Sequence, residues 1–206
     1  MIGSSARTAE PPLSAGAQLL AQIVADLQSL ETFRAEFEQR QEWVGMDPTP
    51  AYRGTLSLLR PNRFRLEYRE PAGHLQVSDG KKVWTFIPEN GEVLAADLEG
   101  APGGGGDLLR WVLTHGKARP EVARETLAGR PARALTLDPD PGLGLSLVRI
   151  WTEAEAPGIR QYEITDESGN RTTYLLTRTE RNPRLAEELF HFTPPEGIPV
   201  VELGAP

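Results

Sequence analysis

A chain of 206 residues with 39% apolar and 25% charged side chains is long enough for one globular domain with its own core. Its formal net charge of −7 argues against a nucleic-acid binder, which needs a basic footprint to release counterions, and leaves local basic patches open. The absence of cysteine removes disulfides, thiolate metal sites and a cysteine nucleophile together, and only three histidines are present, with no paired spacing.

Residues 1–13, rich in small residues, Pro and polar groups, read as a flexible lead, and 14–206 as a single domain. No run approaches the roughly 18 apolar residues of a membrane span, and the first residues lack the apolar core of a secretory signal. Either the protein is cytoplasmic or a signal has been removed; the polar start MIGSSARTAE favours the second. From Ala15 to Leu30 the apolar residues Leu19, Leu20, Ile23, Val24, Leu27 and Leu30 recur at helical spacing, with Ser14 as N-cap. This predicts an amphipathic helix laid on a sheet; a membrane-surface helix is the alternative, and the lack of Lys and Arg on its polar side speaks against it.

At Glu31 the period switches from 3.6 to 2, with Phe33, Ala35 and Phe37 alternating against Arg34, Glu36 and Glu38. After a loop at 44–50, residues 52–88 read as four consecutive antiparallel strands joined by short turns. In the strand around residue 65, Phe64, Leu66 and Tyr68 share one face, and Arg63, Arg65 and Glu67 the other. In the strand before it, Arg60 falls by parity on the face of Leu56 and Leu58, just before Pro61. Two readings stay open for Arg60: a rim residue reaching water along its apolar stem, or a guanidinium that donates to backbone carbonyls of a lid.

Residues 100–106 read as a flexible hinge, and 107–116 as a short helix capped by Asp107 and stopped by Gly116. Leu108, Leu109, Trp111, Val112 and Leu113 wrap much of that helix, which is either a core helix or a mobile lid. Five further strands follow at 122–129, 132–139, 146–153, 159–166 and 171–180, separated by turn-forming residues. Then come a helical turn, a strand edge at Phe190 and Phe192 with His191 facing outward, and a Pro-rich tail. The total of roughly ten strands and two helices predicts a strongly curved antiparallel sheet with helices in its concavity.

The run Gly103 to Gly106 lacks the Lys and Ser/Thr of a phosphate loop, and 142–147 misses the third Gly of a dinucleotide fingerprint. No G-x-S-x-G is present. Nothing nominates an enzyme, a metal or a cofactor.

The pieces Gly54, Arg60-Pro61, Phe64, Pro71, Ser78-Asp79-Gly80, Trp84, Pro88 and the F-x-F-x-P-P-x-G ending from Phe190 to Gly197 resemble the LolA family of periplasmic lipoprotein carriers. The opening LETFRAEFEQRQ at 30–41 fits as well. The resemblance covers 15–97 and 186–202; between them only the strand pattern agrees, and Leu66 stands where relatives often carry Trp. It implies an α+β, mainly β fold: an incomplete antiparallel β-barrel whose apolar concave cavity, closed by helices, holds acyl chains. It implies a periplasmic monomer with no cofactor, no metal and no covalent chemistry. Its implied partners are acylated lipoproteins, an inner-membrane lipoprotein-releasing ABC transporter and an outer-membrane lipoprotein acceptor, with no nucleic acid. Arg60 would clasp the lid, and Phe64, Leu56, Leu58, Leu66, Tyr68 and Trp84 would line the acyl site. A sensor of lipids or lipoproteins that signals to a protein partner is the alternative on the same fold.

Overall fold

A computed structural model describes residues 12–47, 51–98 and 106–203. The expected lead, up to residue 11, and the expected hinge, up to residue 105, lie outside the described residues.

Helix α1 (Ala15–Gln28) starts where the Ser14 side chain accepts a hydrogen bond from the Ala17 N–H at 3.2 Å. Leu19 and Ile23 face inward and are buried, as the helical spacing requires. Gly16 lets the first turn touch the sheet, because a Cβ there would stand 1.8 Å from the Arg119 carbonyl oxygen. The helix ends two residues before Leu30, which is buried beyond it rather than on its stripe.

The strands are β1 (Thr32–Glu42), β2 (Tyr52–Leu59), β3 (Arg63–Glu70), β4 (Ala72–Asp79), β5 (Lys82–Ile87) and β6 (Glu92–Asp97). Helix α2 (Gly106–His115) follows, then β7 (Lys117–Leu127), β8 (Arg130–Asp138), β9 (Leu145–Glu153), β10 (Ile159–Asp166), β11 (Arg171–Arg181) and β12 (Val200–Leu203). The side chains of residues 106–108, 110 and 111 are outside the description, and with them the expected Asp107 cap and the Leu108 and Trp111 faces.

Among the described residues the twelve strands form one sheet, in the order β12-β6-β5-β4-β3-β2-β1-β11-β10-β9-β8-β7. β1 is the seam: it pairs with β2 on one side and, antiparallel, with β11 on the other. The expected incomplete antiparallel barrel, a strongly curved sheet around an apolar cavity, is not what forms. The sheet is open, with β12 and β7 as separate edges, and β12 joins β6 in parallel. The covers are also divided. α1 and α2 pack with Leu135, Leu137, Val148, Ile150 and Tyr162 on one half of one face. The turn at Glu187–Phe190 packs on β3 and β4, where Arg65 reaches the Leu189 carbonyl and Trp84 meets Phe192, on the opposite face. Alternation tells each strand that it has an oily side; it does not tell the strands to enclose one space. Residues 187–190 form a 3₁₀ turn and 191–199 contain no strand, so the expected strand edge at Phe190 and Phe192 is absent and Phe190 is instead fully buried.

Several carboxylates are held below their ordinary range in the folded chain. The Trp151 indole N–H, at 2.8 Å, and then the charge of Arg149 lower Glu125; Arg40 lowers Glu38, and Arg65 lowers Glu67. A depressed folded value contributes stability above the unfolded value, near 4.3 for glutamate, and loses it as pH falls through the folded one. The urea midpoint is therefore expected to be level from pH 7 to about 5 and to drop below it. Glu125→Gln should flatten part of that drop; an unchanged pH profile would contradict the assignment.

Candidate functional site

The apolar face that lies under α1 continues across the seam into β1, β2 and β3. Leu66 stands opposite Leu56, and Phe64 opposite Leu58, which in turn faces Phe33 on β1. Phe64 and Leu66 are buried, and Leu56 and Leu58 partly so. Leu66, Ala35, Phe37 and Leu176 form one apolar cluster, against which Leu56, Phe33 and Tyr68 pack. Close approach makes this possible at Gly54, where a Cβ would lie 2.7 Å from the Phe37 ring and 2.3 Å from the Glu67 carbonyl oxygen.

Of the residues singled out in the sequence, the structure thus brings Leu56, Leu58, Phe64, Leu66 and Tyr68 onto one face. Trp84 is not with them. It pairs with Val77, which pairs with Arg65, and this row belongs to the other face; its ring centroid lies 6.1 Å from that of Phe192. β5 is apolar on both sides, with Val83 on the first face and Trp84 and Phe86 on the second, so local alternation could not choose between them.

Arg60 is exposed at the end of β2, and its guanidinium donates to the carbonyl of Gln28, the last residue of α1. Its own N–H donates to the Glu31 carbonyl at 2.9 Å. The carbonyls of a helix's last turn have no partner within the helix, so a cation at that end satisfies one of them and also meets the negative pole of the helix dipole. A second arginine holds the same end. Arg181 of β11 makes a two-pronged contact with Asp26, 2.9 Å on each side. Sequence reasoning missed this pair: the partners are 155 residues apart, and Asp26 on an amphipathic helix looks like any solvated acid. It is instead the less exposed partner, at 17% against 48% for Arg181.

Beside α1 lies an open groove of about 600 Å³, lined by Gln22, Asp26, Ser29, Arg133, Glu155 and Pro157. Its polar rim does not suit an acyl chain. Among the described residues no group of three or more metal-ligating side chains occurs.

The family model for outer membrane lipoprotein carrier protein LolA matches residues 28–193. An outer-membrane lipoprotein carrier protein of Dechloromonas aromatica is 30% identical over 192 residues, 92% of this chain and 90% of its own. One from Xanthomonas oryzae pv. oryzae is 29% identical over 189 residues, 87% of this chain and 89% of its own. Among solved structures, an uncharacterized conserved protein from Thermus thermophilus shares the fold with a TM-score of 0.60 at 15% identity, over 91% of this chain and 99% of its own. MucB matches with a TM-score of 0.51 at 15% identity, over 87% of this chain and 64% of its own.

Proposed function

The chain belongs to the LolA family of outer-membrane lipoprotein carrier proteins, and from that premise we propose that it holds the acyl chains of its cargo between α1 and the apolar sheet face. Lipoprotein carriage across the periplasm is the family's work. The finer proposal is that acyl chains displace α1 from Leu135, Ile150 and their neighbours and spread toward Leu56, Leu66 and Phe64, with Arg60 as the clasp that opposes them.

One observation supports it above the others: the Arg60 guanidinium on the terminal carbonyl of α1. A bound helix and bound cargo compete for the same surface. Each CH₂ removed from water is worth about 0.8 kcal/mol, so chains of ordinary length outweigh the buried Leu19 and Ile23 of α1 together with its few polar contacts. Release is the harder step, and a helix that re-docks onto Arg60 and Arg181 drives it. The upstream partner would be an inner-membrane ABC transporter and the downstream one an outer-membrane acceptor that binds cargo better still. Carriage needs no bond to be made or broken. Curated relatives named as carriers match at 28–30% identity over most of their length, which supports carriage over sensing.

A fluorescent apolar probe is expected to bind the protein and to be displaced by a triacylated lipoprotein but not by the same polypeptide without its acyl chains. Equal displacement by both would overturn acyl binding. Asp26→Asn, which removes one charge from the second restraint on α1, should raise probe affinity about twofold, as a partly exposed pair permits; unchanged affinity would show that this pair does not resist opening.

A further inference from the structure

The chain has four tyrosines, Tyr52, Tyr68, Tyr162 and Tyr174, and all four stand in one band of the apolar face. Tyr162 of β10 pairs with Tyr174 of β11, Tyr174 with Gln39 of β1, and Gln39 with Tyr52 of β2, so a single row crosses four strands. Tyr68 of β3 leans into this row: its hydroxyl donates to Gln39 Oε1 at 2.7 Å, and its ring stands edge-on to Phe37 at 5.2 Å. The Tyr162 and Tyr174 rings stack at 4.7 Å. Gln39 is only 4% exposed and Tyr162 7%, so amide and phenols sit deep in the layer. Burial raises the Tyr68, Tyr162 and Tyr174 phenols above their ordinary value, which keeps them protonated and able to donate.

The position of the band is what suggests a use. On one side lies the cluster under α1 and α2, on the other the Phe37–Leu66 cluster, and Tyr174 packs against both. A surface meant for hydrocarbon alone has no need of hydroxyls, because each must find a hydrogen-bond partner once buried. An acyl chain, however, ends by definition in an ester or amide carbonyl, which accepts hydrogen bonds and has to be buried with the chain.

We propose that the tyrosine band is a head-group subsite, in which the phenols of Tyr68 and Tyr174 and the Gln39 amide hydrogen-bond the ester and amide carbonyls of acyl chains lying on the two apolar patches. Tyr68 exchanges its bond to Gln39 for one to the ligand, so its own hydroxyl has a partner in both states. The band fixes how far the chains slide along the face, and it favours acyl over alkyl lipids. The inference rests on acyl binding as proposed above.

The test compares two probes with equal chains, dipalmitoylglycerol and its dihexadecyl diether, by displacement of a bound fluorophore. The wild-type protein is expected to prefer the diester by about tenfold, the gain of one to two net hydrogen bonds. In Tyr68→Phe/Tyr174→Phe the preference should fall to about twofold or less. Equal wild-type affinity for both probes, or a preference that survives the double substitution, would overturn the subsite and leave acyl binding standing. Binding of neither probe would overturn acyl binding itself. The wild-type comparison decides the matter even if the double variant folds poorly.

Discussion

Replacing Arg60 with leucine is expected to tighten cargo binding and to slow hand-over, with the sheet unaltered. The guanidinium donates to the carbonyl at the end of α1, and in the proposed mechanism that bond forms only when the helix is docked, so it would stabilise the docked state alone. A ligand that needs the undocked state binds with an apparent affinity reduced by the fraction of molecules that are undocked, and raising that fraction removes the reduction. A hydrogen bond to a charged group at an exposed site is discounted by solvent, and about fivefold tighter probe binding is a reasonable magnitude. Transfer to an acceptor should slow by the same factor, because the helix re-docks with less force. Arg60→Lys keeps the charge but loses the planar fork, and should fall between the two. Wild-type transfer by the leucine variant would remove the clasp from the mechanism.

A larger effect on stability is expected from Gly16→Val. The Arg119 carbonyl oxygen lies 1.8 Å from the place of the first added carbon, and backbone cannot swing aside as a side chain can. Overpacking of this kind costs about 3 kcal/mol, which in a chain of this size lowers the melting temperature by roughly 6–12 °C. The neighbouring Ala15 is exposed, and Ala15→Val should stay within about 0.5 kcal/mol of wild type. If α1 is the cover of the acyl site, Gly16→Val should also raise probe affinity while Ala15→Val does not. Equal melting temperatures for the two variants would mean that the helix does not dock closely at β7.

Much of the site's frame was legible locally. The alternation of Phe64, Leu66 and Tyr68 against Arg63, Arg65 and Glu67 assigns a face without any knowledge of neighbours, and the register agrees. Ser14 as cap and the spacing of Leu19 and Ile23 located α1, because both signals act within a few residues. Arg60 was legible as a candidate for the same reason: strand parity and the adjacent Pro61 are local.

Trp84 shows where this stops. Its strand is apolar on both sides, and the second side is covered by residues 187–192, which arrive about a hundred residues later. No local pattern records that arrival. The same holds for Arg181 on Asp26 and for the tyrosine row, whose members come from four strands and whose alignment depends on β1 pairing with both β2 and β11.

By itself the sequence determined most of the elements, though not β12, the oily side of most strands, the family and the candidate clasp, since each follows from spacing along the chain or from a motif. Only the tertiary structure decided that the sheet is open rather than barrel-like, that its two halves are covered on opposite faces, and which arginines meet α1. Those outcomes depend on contacts between residues far apart along the chain, and the energy that selects them is the burial of whole faces against each other, which exists only once the chain has come together.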